Sequence, residues 1–476
     1  MIKRITDYKY HAGFMGKIYP SNKQKVIIKK SSNVSRFVYN KLVFLGKEIW
    51  LFGKPKLKID FIEKRIEQLK QIQKSTSLLC SMYPWLKGKD IDSNAIVQAK
   101  NRYQDAWSMY HKNHHFAPPK YHKKRDVEKY QTCIKYYDMK NDTPTLLLKN
   151  ASIRFEDRHH IVLPKIGRIR FAGSPKVIDR LFAMTEVRLG TTTIQKDTTG
   201  EYYVSFQIAS DEPFFEEFEK TGSEIGIDLN ITNFLADNEG NIIDNPKYLR
   251  KAMKRLAKAK RVLFRRGQRA KEKKRKLADC KNYQKQRKKV ARIEKKIKNC
   301  RRNFLNETST ALVKKHDLIV AEELRSKNMM KNHALALSIQ DAGWRTFLRM
   351  TTYKAKGHGK KFITVSPKNT TQTCSNCGHV MKGDKKLTLK VREWWCPKCG
   401  AHHNRDVNAA KNILAKGKNN NSKDNSSVRW ATHGRKWSWV ISRPLPRVGT
   451  ASGKLTVSRL VAVLHIICFI TWKCRS

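Results

Sequence analysis

The chain has 476 residues and carries 100 Lys and Arg against 40 Asp and Glu, a formal net charge of +60. Self-repulsion on that scale excludes a compact protein that works without a polyanion, and basic residues spread along most of the chain predict a large bound nucleic acid more than one short DNA site. Of ten cysteines, four are paired as C-x-x-C and the rest are scattered singly, which excludes a disulfide framework and predicts a reducing, cytoplasmic setting with one metal site.

The stretch MIKRITDYKYHAGF has no apolar core of signal-peptide length, so export is not expected. Up to about residue 35 the sequence predicts a strand leading into a helix. From SRFVYNKLVFLGKEIW to QAKNRYQDAWSMYHKN apolar residues recur at helical spacing, with Phe37, Tyr39, Leu42 and Leu45 on one face and Ile96, Tyr103, Trp107 and Tyr110 on another, predicting a helical domain. Pro118 and Pro119 break that pattern. Beyond them NASIRFEDRHHIVLPKIGRIRFAG, AMTEVRLGTTTIQ and EYYVSFQIAS alternate as strands do, predicting a small β-barrel or sheet completed by the N-terminal strand, and the acidic SDEPFFEEFEKTG closes it as a linker.

SEIGIDLNITNFLADNEGNII then reads as three strands, with a turn at Asn238-Glu239-Gly240. Between Lys247 and Arg302 lie 27 Lys and Arg and three acids, with Val290, Ile293, Ile297 and Phe304 as an apolar seam; so strong a bias predicts helices that touch phosphates. HDLIVAEEL suits a buried parallel strand, SIQDAGWRTFLRMTTYKAKGHG one amphipathic helix, and KKFITVSP a further strand. KGKNNNSKDNSS reads as a flexible linker. The apolar run at 460–472 has 13 residues, short of the roughly 20 a spanning helix needs, so no membrane partner is expected.

Cys374 and Cys377, in TCSNCGH, are separated by 18 residues from Cys396 and Cys399, in WWCPKCGA. This spacing predicts four thiolates around one Zn²⁺, with no open position and hence a structural role. Gly378 and Gly400 follow the second cysteine of each pair, where a tight knuckle favours positive φ. Three acids also stand out: Asp228 on the first strand of GIDLN, Glu322 at the end of LIVAEE, and Asp406 opening the helix behind the knuckles. Carboxylates at the ends of apolar strands are costly unless they share a cation. Their chain order is that of an RNase H-like fold, in which two Mg²⁺ or Mn²⁺ ions about 4 Å apart hydrolyse a phosphodiester. Glu323 competes with Glu322, since alternation lets only one of the two point into the site.

GIDLNITNFLA, VAEELRSKNM, LALSIQDAGWRTF, TCSNCG, WWCPKCGAHHNRDVNAAKNI and the N-terminal IYPSNKQ and RFVYNKL together resemble the TnpB family of transposon-encoded RNA-guided DNA nucleases, related to compact type V CRISPR effectors. The resemblance spans roughly residues 10–417. It implies a multidomain α/β protein: a RuvC-like (RNase H-like) nuclease at 223–366 and 404–417 with a basic helical insertion at 247–315, a zinc ribbon at 367–403, a β-barrel wedge domain at 1–35 and 140–222, and a helical recognition domain at 36–139. It assigns catalysis to Asp228, Glu322 and Asp406, and implies a guide RNA with a structured scaffold and double-stranded target DNA as partners. The protein would read a short target-adjacent motif while base pairing reads sequence, with the helix from Ser93 to Tyr110 as the candidate facing that motif. Residues 418–476 depart from the family and are expected to form a flexible basic tail.

Two other functions fit parts of this pattern. A DDE-type transposase also uses three acids on an RNase H-like fold, but in the order Asp, Asp, Glu, whereas here Glu is second. A guide-directed repressor would lack catalytic acids, and all three are present.

Overall fold

The computed structural model describes residues 3–53, 60–113, 116–123, 128–137, 143–324, 326–388 and 390–423. Alternating apolar residues build a first sheet of seven strands: β1 (Tyr10–Tyr19), β2 (Lys129–Cys133), β3 (Arg154–Asp157), β4 (His160–Leu163), β5 (Gly167–Ala172), β6 (Arg188–Lys196) and β7 (Tyr202–Ser210), in the order β2-β6-β7-β1-β5-β4-β3. The N-terminal strand β1 is central, paired antiparallel with β7 and β5. A bridge between Tyr136 and Ala151 links the chain after β2 to the chain before β3, drawing the two edges of the sheet together. Phe14, Phe155, Phe171 and Phe206 fill the core with tilted and edge-on ring contacts.

The first helix, α1 (Asn22–Phe52), starts where Ser21 and Gln24 form a reciprocal capping box. Gln24 also donates to the carbonyls of Ile166 and Arg168, fastening α1 to the sheet. With α2 (Asp60–Lys74), α3 (Thr76–Met82) and α4 (Ser93–Lys112) it encloses Tyr39, Leu42, Leu45, Ile96 and Tyr103; Phe37 and Trp107 pack at the margin of that core.

Two departures appear here. Strand β2 lies inside the stretch 36–139 that was expected to be helical; its partner β6 is about sixty residues away, and such distant pairing leaves no local periodicity to read. A helix, α5 (Pro175–Ala183), lies within the stretch expected to be β-rich, between two of the expected strand segments, with Pro175 in its first turn and Ile178 and Leu181 buried.

The second sheet has five strands, β8 (Glu224–Asp228), β9 (Asn233–Asp237), β10 (Ile242–Asp244), β11 (Leu318–Glu322) and β12 (Lys361–Val365), in the order β10-β9-β8-β11-β12. The first three are antiparallel, and β11 runs parallel between β8 and β12. Between β10 and β11 the basic run forms two long helices, α6 (Tyr248–Glu272) and α7 (Lys281–Lys315), joined through Leu256, Ala259, Val290, Ile293 and Ile297. Phe304, expected in the same seam, instead packs edge-on against Phe234 in the core of the sheet.

After α8 (Ser326–Met329), the expected single amphipathic helix is two, α9 (His333–Ala342) and α10 (Trp344–Gly357). Gly343 separates them at φ 72°, left-handed backbone that glycine adopts freely and that turns the chain so Trp344 and Phe347 enter the core. A small hairpin, β13 (Glu393–Trp395) and β14 (His402–Asn404), precedes the last helix, α11 (Arg405–Lys423). Helix α11 therefore continues into the stretch expected to be a flexible linker and tail from 418 on; there Lys418 pairs with Glu224 at 2.5 Å. The remainder of that tail, 424–476, lies outside the described residues. No helix among the described residues is long and apolar enough to cross a membrane.

Candidate active site and metal centre

Period-two alternation places the acids. On β8, Gly226 faces α11 so closely that a Cβ there would lie 2.2 Å from the Ala410 carbonyl oxygen; Asp228, two residues on, faces the same side. On β11, Val320 meets α11 at Gly417, where a Cβ would lie 2.5 Å from the valine side chain, and Glu322 follows it by two. The intervening Ile227 and Ala321 point into the core on the other side of the sheet. On α11, Asp406, Ala410 and Gly417 share one face at helical spacing. The last recorded register pair of β8 and β11 is Ile227 with Ala321, one step before the two carboxylates.

Asp228, Glu322 and Asp406 are thus brought together at one end of the sheet, and all three are buried, at 7%, 7% and 9% exposure. Glu323 is exposed, so alternation resolves that competition in favour of Glu322. Burial pushes the Asp228 carboxyl up to about 8, and the nearby charges of Glu322 and Asp406 add to it, opposed by Arg405. Burial also raises Glu322, against the opposing effects of the Thr370 hydroxyl and Lys416.

Asn404 caps α11 by accepting from the N–H groups of Asp406 and Val407 at 3.1 and 3.3 Å, which puts Asp406 in the first turn, where the helix dipole favours an acid. Asp406 accepts from Asn230 at 3.2 Å, Arg405 at 3.4 Å and Arg392 at 3.5 Å. Three buried carboxylates, two of which bear on Asp228 by their charge, offer the hard oxygen donors that suit divalent cations such as Mg²⁺ or Mn²⁺.

The four sulfurs of Cys374, Cys377, Cys396 and Cys399 lie within 4.8 Å of one another. Cys374–Cys399 and Cys377–Cys396 are 3.7 and 3.6 Å apart, close to the ~3.8 Å edge of a tetrahedron with ~2.3 Å Zn–S arms. Gly378 and Gly400 adopt φ of 72° and 68° and donate back to the carbonyls of Cys374 and Cys396 at 3.0 and 2.9 Å, closing each knuckle. The cluster fits one zinc ion. His403 Nε2 lies 3.0 Å from Cys374 Sγ, a contact the cysteine spacing did not announce.

Sequence reasoning also missed Thr370, Asn408 and Asn412, buried at 1%, 1% and 9% exposure beside the acids. Two asparagines four apart on the buried face of DVNAAKNIL were a legible signal, because buried amides need specific partners. Thr370, in a loop, offered none.

Residues 344–413 match the family model described as Cas12f1-like, TNB domain, and residues 205–333 the one described as probable transposase (OrfB_IS605). A protein of Streptomyces pristinaespiralis named as a candidate RNA-guided DNA endonuclease is 38% identical over 230 residues, covering 48% of this chain and 52% of the relative. InsQ of Escherichia coli, named in the same way, is 30% identical over 277 residues, covering 55% of this chain and 63% of the relative. The matches span about half to three fifths of these relatives' length. A solved structure described as a Cas12f1–sgRNA–target DNA complex superposes with a TM-score of 0.52 over 83% of each chain at 15% identity, a likeness of fold. The resemblance to the TnpB family read from the sequence is borne out, and the fold, of mixed α/β content, is like that of a compact type V effector.

Proposed function

We propose that the protein is an RNA-guided endonuclease that hydrolyses double-stranded DNA at Asp228, Glu322 and Asp406. The observation that carries this reading is the meeting of three buried carboxylates at one end of the β10-β9-β8-β11-β12 sheet, an arrangement suited to an RNase H-like (RuvC) nuclease. The three acids would hold Mg²⁺ or Mn²⁺, two ions when loaded. Bound there, such ions activate a water and stabilise the leaving oxygen of a phosphodiester. Asn230, Arg392 and Arg405 hold Asp406, and Arg392, half-exposed at 50% of its side chain, leaves a cation at the mouth of the site for a phosphate oxygen. Cys374, Cys377, Cys396 and Cys399 would hold one structural Zn²⁺, fixing the hairpin from which Asp406 is delivered.

The rest of the chain fits the same reading. The seven-stranded sheet serves as the wedge and α1–α4 as the recognition domain, gripping the RNA scaffold and reading a target-adjacent motif. The net charge of +60 supports a guide RNA and DNA held together, the singly scattered cysteines fit a reducing cytosol, and the basic α6–α7 hairpin offers phosphate contacts along the duplex.

The experiment is to isolate the protein with the RNA that accompanies it, sequence that RNA, and offer a duplex complementary to its variable end with Mg²⁺. Cleavage of the matched duplex alone supports the proposal. Cleavage indifferent to the RNA, or binding without any cut by the unmodified protein, overturns it.

A further inference from the structure

A chain of side-chain hydrogen bonds runs from the first zinc knuckle to the acidic site. Thr370 lies between β12 and Cys374 and is 1% exposed. Its hydroxyl has one proton and two acceptors within reach, the Glu322 carboxylate and the Pro367 carbonyl at 3.1 Å. The carboxylate is the stronger acceptor, so the proton goes to Glu322.

Two asparagines on α11, the helix that also carries Asp406, hold Thr370 in turn. Asn412 Nδ2 donates to the backbone oxygens of Thr370 and Thr373 at 2.9 and 2.6 Å. One turn earlier, Asn408 Nδ2 donates to the Thr373 carbonyl at 2.8 Å, and its Oδ1 accepts from the backbone N–H of Ser375, next to Cys374, at 2.8 Å. Residues 370–375 are thereby pinned to α11 by their main chain, and the pinned segment passes one hydroxyl to Glu322.

The chemistry explains why such a chain matters. A glutamate has three rotatable bonds, and a ligating carboxylate needs outer hydrogen bonds to fix its orientation. Among the described residues, Thr370 is the one recorded as donating a hydrogen bond to the Glu322 carboxylate; Lys416 acts on it only through its charge.

We infer that Thr370, held by Asn408 and Asn412, is a positioning residue that orients Glu322 toward a divalent cation, so that ion binding at the acids depends on the loop leading into the first zinc knuckle. This rests on the reading of Asp228, Glu322 and Asp406 as ion ligands.

The test is a Mg²⁺ titration of the ribonucleoprotein followed by thermal unfolding, each curve read against that of Asp228→Ala, with zinc content measured alongside. Thr370→Val keeps the side-chain shape and loses the hydroxyl. It is expected to raise the half-saturating Mg²⁺ concentration by about 10–100-fold with one zinc retained, to raise the Mg²⁺ needed for cleavage in parallel, and to be rescued by Thr370→Ser. Asn412→Ala, which keeps the hydroxyl and frees its loop, is expected to shift Mg²⁺ in the same direction, and serves if Thr370→Val does not fold.

A Mg²⁺ response in Thr370→Val or in Asn412→Ala equal to that of the unmodified protein, or a Thr370→Ser as impaired as the valine, overturns the inference. Should Asp228→Ala itself keep the full Mg²⁺ response, the underlying reading fails. If Asp228→Ala loses that response and Thr370→Val keeps it, only the positioning role falls.

Discussion

Asp228 and Glu322 stand side by side on adjacent parallel strands, one step past the paired Ile227 and Ala321, both facing α11. Two buried carboxylates so placed destabilise the fold unless a cation is shared. Asp228→Asn removes one charge at constant shape. Without added Mg²⁺ at pH 9, where Asp228 is ionised, the variant is expected to be more stable than the unmodified protein by about 1–2 kcal/mol, while its cleavage falls on the order of a thousandfold. Chemical denaturation and a cleavage assay on the same preparations check both; equal or lower stability contradicts the expectation.

The contact between Gly226 and the Ala410 carbonyl is with backbone, which cannot rotate away. Gly226→Ala is therefore expected to lift α11 from β8, cost about 2–3 kcal/mol, and reduce cleavage by displacing Asp406. Denaturant midpoints measure the first effect. A fully active, fully stable alanine variant would mean that the close approach is not needed.

Gly226 and the three acids were legible to different degrees. Asp228 and Glu322 could be read because ionisable groups at the ends of apolar strands violate the local pattern, and Asp406 because it opens the helix directly behind the second cysteine pair. The role of Gly226 could not, since nothing local reveals that another element will pass within contact distance. Strand β2 was hidden for the same reason, its partner being about sixty residues away. The division of α9 from α10 at Gly343 was visible in principle, but one glycine inside an amphipathic run is as often tolerated as it is a terminator. The helical stretch of α11 after Gly417 defied its low-complexity sequence; Lys418 finds its partner, Glu224, only in the folded chain.

Lys295 on α7 ties the basic hairpin to the turn between β6 and β7. Its ammonium donates to Asp197 and Tyr203, each at 2.6 Å, and to Glu201, whose other oxygen takes Lys17 at 2.7 Å. These bonds hold the Glu201 carboxyl at about 2. The side chains are 24–37% exposed, so solvent screens part of the interaction. Lys295→Met, leaving Asp197 and Glu201 to face each other, is expected to cost about 1–2 kcal/mol, read from denaturation curves, and to speed proteolysis of the β6–β7 turn. An unchanged midpoint would show the contact to be idle.

Lys354 on α10 is buried and donates to the Asn306 carbonyl, Ser309 Oγ and Thr310 Oγ1 at 2.6, 2.8 and 2.7 Å. Burial pushes its ammonium down to about 8 from an ordinary 10.5. Between those values the unfolded chain binds more protons at this position than the folded one, so this group's contribution to stability rises with pH. Subtracting the stability of Lys354→Met from that of the unmodified protein is expected to give a difference that climbs from pH 8 to about 10.5; a flat difference contradicts it.

The most direct measurement of the central claim compares Asp228→Ala, Glu322→Ala and Asp406→Ala, each carrying guide RNA, for Mg²⁺-dependent cutting and for binding of a matched duplex. The account predicts that all three lose cutting and keep guided binding. Cutting at the unmodified rate by any one of them would contradict it.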